Sequence, residues 1–252
     1  MRPDGLTPGW AAPAGVGAWM STRDGGVSTG PWASLNLGTA VGDEPAAVQE
    51  NRRRFARAIG AEPVFLRQVH GARVVRVVAA DAARTEPLEA DACVTTERGV
   101  ACTVQVADCL PVLFAAPAGR AVAAAHAGWR GLAGGVLDAA LEALCAAAGC
   151  APAEVQAWLG PCIGPRQFEV GAEVVAAFAA HGPDARFVPR ARADGSAAWL
   201  ADLPGLARDR LAGLGVATVS GGTWCTVEDR SRFFSYRRDG VTGRLAAAVW
   251  RD

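Results

Sequence analysis

The chain contains no lysine, and this absence excludes several kinds of enzyme. A Schiff-base catalyst and a pyridoxal phosphate enzyme both need a lysine amine, and a Walker-type loop needs its lysine to reach the phosphates. Histidine is scarce too, since only His70, His126 and His181 are present. Three imidazoles are too few to hold the several coppers of a multicopper oxidase cluster in one copy of the chain.

An excess of charge of one sign is also missing, because 25 basic residues balance 25 acidic ones. Without a basic patch we expect no nucleic-acid partner. The apolar runs are too short or too often broken by glycine and proline to span a bilayer, and the first residues lack the apolar core of a signal peptide. We therefore expect a cytoplasmic protein, away from membranes, that binds a small molecule.

Cysteine is present seven times, but no Cys-x-x-Cys pair occurs. An odd number of irregularly spaced cysteines does not suit a secreted disulfide framework, so we expect reduced thiols. Cys93, Cys102, Cys145 and Cys150 lie in or beside apolar segments and are expected to be small buried hydrophobic residues. A chain of 252 residues with 51% hydrophobic residues can bury a sizeable core, which predicts one domain over residues 1–252.

Two short motifs lie on either side of a predicted β-hairpin. Ala107-Asp108-Cys109-Leu110-Pro111 precedes it, and His126-Ala127-Gly128-Trp129-Arg130-Gly131 follows it. If residue 116 faces residue 121 across the turn, antiparallel counting places His126 opposite Pro111, with Cys109 two residues further along on the same face. The thiol and the imidazole can then converge, either on a metal or as a nucleophile with its base. His70, at a turn after another strand, is the second candidate imidazole.

The remaining pattern predicts alternating strands, helices and glycine-rich loops. Asp43 is expected to cap the first helix, His181 to be a structural residue at a helix end, and residues 183–196 to form a loop. Predicted strands cover residues 16–22, 63–69, 74–78, 90–95, 100–106, 112–116, 121–125, 154–159, 216–220 and 245–250, and predicted helices cover residues 43–59, 131–148, 173–180 and 202–214.

Candidate anion-binding and ligand-binding groups occur in three places. Arg130 lies at the start of the predicted helix after the hairpin, where free backbone N–H groups favour phosphate. Arg23 and Asn36 lie in a glycine-rich loop that permits close backbone approach, although a solvated surface loop explains them equally well. Arg237 and Arg238 follow three aromatic residues and could hold phosphate or form a solvated charge cluster.

Several blocks spread over nearly the whole chain resemble one family, the YfiH-like proteins, which were first described as polyphenol oxidases or laccase-domain proteins and later assigned as purine nucleoside phosphorylases. Gln-Val-His-Gly, Ala-Asp-Cys and His-Ala-Gly-Trp-Arg-Gly are the most specific of them. The matching stretches are residues 21–28, 34–38, 41–43, 51–52, 68–71, 107–109, 126–131, 159–161, 234–238 and 242–244.

The resemblance implies an α+β fold in which mixed β-sheets pack as a sandwich with flanking helices. It also implies a zinc ion held by His70, Cys109 and His126, a ligand set that leaves a fourth position open as in catalytic zinc sites. Asp108 and the backbone near it are the groups expected to orient the imidazoles. Copper could bind the same three ligands, but only Met1 and Met20 exist as axial thioethers.

The implied activity is phosphorolysis of adenosine, inosine and methylthioadenosine, together with adenosine deamination. Zinc-bound hydroxide suits the deamination, but the His-x-Glu and Pro-Cys-x-x-Cys signature of cytidine-type deaminases is absent. Arg23, Asn36, Arg130, Arg237 and Arg238 are the candidates for binding substrate and phosphate.

Three other hypotheses stay open at this point. Cys109 activated by His126 could hydrolyse an amide in peptidoglycan precursor editing, a role also associated with bacterial relatives. A copper-dependent phenol oxidoreductase corresponds to the older description of the family. A non-enzymatic metal-binding or redox-sensing module is the third, and it would need a zinc site closed by a fourth protein ligand. The oligomeric state does not follow from the sequence, and a monomer is compatible with it.

Overall fold

Two β-sheets pack face to face in the computed structural model, and helices cover the outer face of each sheet. The structure describes residues 3–179, 184–192 and 194–252. His181, which was expected to be structural, lies outside these residues. The architecture is the mixed α+β sandwich with flanking helices that the family resemblance implies, so the predicted fold class is confirmed.

The first sheet has five strands and is antiparallel except at one edge, where β3 runs parallel to β6. Its spatial order is β1 (Gly5–Leu6), β2 (Val16–Ser21), β14 (Leu245–Arg251), β6 (Val100–Val106) and β3 (Glu62–Val64).

The second sheet has six strands, with antiparallel pairs in its centre and a parallel pair at each edge. Its central pair, β7 and β8, is the predicted hairpin. The spatial order is β13 (Thr218–Gly221), β9 (Gln156–Leu159), β7 (Leu110–Ala115), β8 (Val122–Ala127), β5 (Ala92–Thr95) and β4 (Val74–Arg76).

A third sheet of three short strands contradicts part of the loop predicted over residues 183–196. Its order is β10 (Glu169–Val170), β12 (Ala197–Ala201) and β11 (Phe187–Ala191). Four of the five side chains of β11 are exposed, and its sequence shows no alternation of apolar and polar residues that would indicate a strand. Arg192 bonds Glu169 at 2.8 Å across the sheet. Ion pairs between strands therefore accompany the backbone pairing that the composition alone did not predict.

Helix α1 (Pro45–Ile59) covers the outer face of the five-stranded sheet, where Phe55 is fully buried with its ring centroid 5.5 Å from that of Trp19. Burial of such a side chain contributes about 1.5–3 kcal/mol. The helix ends at residue 59 as predicted, and Gly60 follows it in the left-handed conformation. Asp43 is not its cap: the N-cap is Glu44, and Asp43 Oδ2 instead accepts from the Ser28 hydroxyl at 2.6 Å and from the amide of Asn36.

On the other side, α2 (Trp129–Ala133) and α3 (Val136–Ala148) pack against the six-stranded sheet. Helix α4 (Ala172–Phe178) packs against α2 and the three-stranded sheet, and α5 (Leu203–Gly213) packs against α3. A short α6 (Tyr236–Asp239) lies near the C-terminus. The single helix predicted over residues 131–148 is divided, because Gly135 has φ of 87° and interrupts the hydrogen-bond ladder after Gly134. No helix among the described residues is both long and apolar enough to cross a membrane.

Alternation along β7 and β8 decides which side chains face the gap between the two large sheets. Ala123 and Ala125 belong to the core under the helices, whereas Val122 and Ala124 belong to the core between the sheets. His126 continues the second series by its position in the strand. The hairpin therefore places His126, and the segment with Cys109 beside it, at the rim of the core between the two large sheets.

Candidate metal centre

The register of the β7–β8 hairpin is the one that the sequence predicts. Pro111 lies opposite His126, and the backbone N–H of Ala116 donates to the carbonyl of Ala121 at 3.0 Å to close the turn. Cys109 packs against the inter-sheet core two residues before Pro111. The thiol and the buried imidazole therefore lie on the same face, as the counting across the turn requires.

His70 completes a group of three side chains that could hold one metal ion. One ligand atom from each of His70, Cys109 and His126 lies within 4.8 Å of the others. The Cys109 Sγ is 3.6 Å from His70 Nε2, and the two imidazole centroids are 4.7 Å apart with planes at 75°. This is the one cluster of three or more such side chains found in the described part of the chain. One thiolate and two imidazoles suit zinc or copper, and no fourth protein ligand belongs to the group.

A buried carboxylate that the sequence analysis missed lies behind this centre. Asp91 is fully buried, and its Oδ1 is 2.8 Å from Nδ1 of His126. Its two oxygens also accept the backbone N–H groups of Val69, His70 and Gly71 at 2.7–3.1 Å. Burial opposes the charge of this carboxyl, but the hydrogen bonds from His126 and from the backbone lower the pKa of Asp91 below its ordinary value.

Asp108 does not have the orienting role expected of it. Its Oδ1 accepts from the Thr226 hydroxyl and its Oδ2 from the backbone N–H of Arg237, each at 2.6 Å. Asp108 has φ of 98°, an unusual conformation for a residue with a side chain. These bonds connect the residue before Cys109 to the segment between β13 and β14 rather than to either imidazole.

The thiol and the buried imidazole stabilise each other's charged forms. Burial raises the pKa of Cys109, but the nearby charge of His126 and hydrogen bonds from both histidines outweigh it and lower that pKa to about 6. Burial lowers the pKa of His126, but the charge of Cys109 and the hydrogen bond to Asp91 raise it to about 9. Each group therefore favours the charged form of the other, which is the electrostatic pattern of a thiolate–imidazolium pair.

The centre opens into a cavity of about 660 Å³ at the rim of the sandwich, lined mainly by loop residues. This volume is typical of a site for a small organic ligand. The cavity is lined by Gly38, Thr39, Ala40, Val41, Arg52, Leu66, Arg67, Gln68, His70, Pro87, Gln105, Val106, Ala107, Cys109, His126, Tyr236 and Arg244.

Two arginines in this lining were not among the predicted ligand-binding residues. Arg52 comes from α1, donates Nε–H to the carbonyl of Leu37 at 3.0 Å, and lies 3.9 Å above the Phe65 ring. Burial lowers its pKa to about 10. Arg244 donates from Nη1 to Thr242 and Gly243, and burial lowers its pKa as well. Both guanidinium groups keep further N–H donors that no described residue accepts, so they can bind an anion in the cavity.

Three of the five predicted ligand-binding residues have their polar groups engaged by the protein itself. Arg23 donates to the carbonyls of Ala33 and Arg230. Asn36 is fully buried and bonds Gly38, Asp43 and the backbone N–H of Arg244. Arg238 donates to three backbone carbonyls and to Asp239. None of the three lines the cavity, and their geometry favours a structural role.

The other two predicted residues lie on the surface. The exposed Arg130 is placed with its guanidinium 4.3 Å from the Trp129 ring centroid. Arg237 is exposed and donates to the carbonyls of Gln167 and Glu169. Neither belongs to the cavity lining, so the assignment of all five residues to phosphate or substrate stays a prediction. Asn36 keeps an indirect link to the cavity, because its amide holds the backbone of Gly38 and Arg244.

The fold and the centre together define a two-sheet sandwich with a candidate metal centre and an adjoining cavity at its rim. Comparison with known proteins gives the particular family. The chain belongs to the family described as multi-copper polyphenol oxidoreductase laccase, whose model matches residues 17–252. That description names several coppers, whereas the chain has three histidines and the described residues form one cluster.

Curated relatives and solved structures are similar over almost the full chain. A protein of Pseudomonas aeruginosa named purine nucleoside phosphorylase is 52% identical over 247 residues, which is 97% of each chain. Purine nucleoside phosphorylase YfiH of Escherichia coli is 47% identical over 97% of this chain and 98% of its own. The crystal structure of Neisseria meningitidis protein NMB0706 has a TM-score of 0.90 at 50% identity, covering 98% of this chain and 99% of that one. YlmD from Geobacillus stearothermophilus has a TM-score of 0.91 at 34% identity over 100% and 97%.

Proposed function

We propose that this protein is a zinc-dependent purine nucleoside phosphorylase that acts on adenosine, inosine and methylthioadenosine and also deaminates adenosine. The observation that carries the proposal is the joint presence, in one cavity, of the His70–Cys109–His126 cluster and two arginines with unused donors. The names of relatives that are 41–52% identical support the phosphorylase activity.

Zinc fits the three donors better than copper does. A thiolate with two imidazoles and no fourth protein ligand is the pattern of catalytic zinc. A blue-copper centre would need an axial ligand such as methionine, but Met20 is fully buried in the core between the sheets. Bound zinc would supply a Lewis acid and, with water, a hydroxide for attack on the amino-bearing carbon of adenosine.

The arginines are the proposed phosphate site. Phosphorolysis forms a bond from a phosphate oxygen to the anomeric carbon and breaks the bond from that carbon to the purine nitrogen. The attacking phosphate carries the negative charge that must be held next to the sugar. Arg52 and Arg244 face the same cavity as the metal cluster, and partial burial strengthens their interaction with an anion.

The proposed position for the purine ring is against Tyr236, at the mouth of the cavity. This side chain is 59% exposed although it lines the cavity, so one face of its ring is accessible to a flat ligand. The guanidinium of Arg244 lies 5.9 Å from its ring centroid. An aromatic ring beside a cation provides a stacking surface next to the anion site.

The test measures hypoxanthine released from inosine by the purified protein, with and without inorganic phosphate. Zinc content is determined on the same sample. The proposal predicts phosphate-dependent release that is lost after chelation, restored by zinc, and abolished by Cys109→Ala. Cys150→Ala is the matched control, because this thiol lies beside α3 and outside the cavity lining.

Other outcomes identify the alternatives. Full activity in metal-free protein, with a covalent adduct trapped on Cys109, would support the amide hydrolase, for which the thiolate–imidazolium pair is suited. Turnover of phenols that requires copper would support the oxidoreductase. A cytoplasmic location and a monomeric state stay predictions.

A further inference from the structure

One buried carboxylate contacts two of the three segments that supply the metal cluster. Asp91 accepts four hydrogen bonds at 2.7–3.1 Å, one from the His126 ring and three from consecutive backbone N–H groups at residues 69–71. Its own carbonyl accepts the backbone N–H of His126 at 2.7 Å. The residue lies just before β5 and does not itself belong to the cluster or line the cavity.

The first effect of Asp91 is on the imidazole of His126. A carboxylate is an acceptor only, so the ring nitrogen that faces it, Nδ1, must carry a proton. The other nitrogen, Nε2, is then the one available as a ligand. The short contact between Oδ1 and Nδ1 also fixes the rotation of the ring, which is only 3% exposed.

The second effect is on the turn that carries His70. This residue has φ of 62°, in the left-handed region where residues with a side chain are disfavoured. Three successive N–H groups pointing at one carboxylate form an anion-binding concavity, and its anion here is Asp91. The His70 side chain is exposed but contacts Cys109 and the His126 ring, so the position of the turn decides whether this ring reaches the cluster.

We propose that Asp91 is the positioning residue that assembles this centre, because a single carboxylate fixes both the tautomer of His126 and the turn of His70. The inference rests on the metal-binding part of the proposed function and does not depend on which nucleoside reacts. Asp91→Asn keeps the size of the side chain but replaces one acceptor oxygen with an N–H₂ donor. At least one of the four donors then faces another donor, so the arrangement cannot be kept complete.

The experiment compares zinc affinity of the full-length wild-type protein and Asp91→Asn by competition with a chromophoric chelator. We expect the substitution to weaken zinc binding by roughly 10–100-fold. Asp202→Asn is the control, because Asp202 is also a carboxylate that accepts a backbone N–H, but it caps α5 away from the centre. It should lower stability without changing zinc affinity. Equal affinity of Asp91→Asn and wild type would overturn the proposal.

Two spectroscopic readouts separate positioning from a general loss of stability. In zinc-loaded wild type, nitrogen NMR should show the proton of His126 on Nδ1, and a proton on Nε2 would overturn the proposal. In metal-free protein, the amides of residues 69–71 should be protected from hydrogen exchange in wild type and in Asp202→Asn, and should exchange faster in Asp91→Asn. Absence of amide protection in wild type would also overturn it.

These measurements distinguish the failure of each idea. If wild type binds no zinc, the proposed function fails, while amide exchange in metal-free protein still tests Asp91. If wild type binds zinc and Asp91→Asn does so equally well, only the inference about Asp91 fails. If Asp91→Asn does not fold, the inference is tested on wild type alone, by the tautomer of His126 and by the protection of the amides of residues 69–71.

Discussion

Gly128 lies directly against the thiol of Cys109, with no space between them for a side chain. A Cβ at position 128 would come within 3.0 Å of Cys109 Sγ and 2.8 Å of Cδ2 of His70. Gly128 has φ of −64°, so a side chain is excluded here by its neighbours and not by the backbone conformation. The glycine in the motif after β8 therefore allows the end of this strand to approach two of the three cluster residues closely.

Replacing this glycine should damage the centre before it damages the fold. We expect Gly128→Ala to displace His70 or Cys109 and to weaken zinc binding roughly 10-fold or more. Chelator competition measures the affinity, and thermal unfolding of metal-free protein measures the stability. Gly213→Ala is the control, since a Cβ there meets nothing within 4 Å. It should leave affinity unchanged and raise the free energy of unfolding by up to about 1 kcal/mol.

Cys109 should ionise at unusually low pH in metal-free protein. Its pKa of about 6 means that the thiolate fraction, and with it the rate of alkylation by iodoacetamide, rises as the pH increases through 6. The buried Cys102 and Cys162, whose pKa values lie well above the ordinary one because of burial, should react far more slowly. Mass spectrometry of the alkylated peptides assigns the rate to each thiol.

His126→Gln is the informative variant for this prediction. Without the imidazolium the charge that stabilises the thiolate is lost, so the midpoint of alkylation should move to higher pH. Retention of a midpoint near 6 in that variant, or a midpoint near the ordinary cysteine value in wild type, would contradict the ion pair.

The convergence of Cys109 and His126 could be predicted because it follows from local rules. One turn and the two-residue period of a strand fix which side chains of a hairpin share a face. Asp91 could not be assigned in this way, because its partners are up to 35 positions distant in the chain and meet it only through the pairing of β5 with β8. The one feature of the sequence that could have pointed to Asp91 is a single carboxylate at the start of an apolar strand.

The arginines that line the cavity could not be predicted from local sequence patterns either. Arg130 was predicted from its place at the start of a helix, and Arg237 from the aromatic residues before it. Arg52 and Arg244 instead reach the cavity from α1 and from the segment before β14. The packing of both sheets brings these segments together, and no periodicity in the sequence encodes that meeting. The split between α2 and α3 was likewise missed because the apolar spacing continues through Gly134 and Gly135.

The amide of Asn51 should be important for stability. It is fully buried in α1, donates to Ser28 Oγ and to the carbonyls of Ser34 and Asn36, and accepts the N–H of Val27. Asn51→Ala leaves these groups without their partner, so we expect the free energy of unfolding to fall by about 3 kcal/mol. Urea denaturation measures it. Arg57 is exposed on the same helix, so Arg57→Ala should change the free energy of unfolding by less than about 0.5 kcal/mol. A similar loss of stability in Asn51→Ala and Arg57→Ala would contradict the role given to the Asn51 amide.

Arg52 and Arg244 should control the affinity for phosphate more than the affinity for nucleoside. A charge-assisted hydrogen bond to an anion is worth about 1.5–3 kcal/mol, so Arg52→Gln and Arg244→Gln should each raise the KM for phosphate roughly 10-fold or more in inosine phosphorolysis. Steady-state kinetics at varied phosphate and saturating inosine measure the effect, with the KM for inosine determined in parallel.

Arg53→Gln provides the neighbouring comparison, since Arg53 is exposed on α1 and pairs with Glu50 outside the cavity lining. Its phosphate KM should equal that of wild type. Arg130→Gln distinguishes the two assignments of the phosphate site. If Arg130 binds phosphate, as the sequence suggested, this variant has a raised KM for phosphate. If phosphate binds to Arg52 and Arg244 in the cavity, its KM for phosphate is unchanged. A raised phosphate KM in Arg130→Gln, with normal values in Arg52→Gln and Arg244→Gln, would move the anion site from the cavity to the surface near α2.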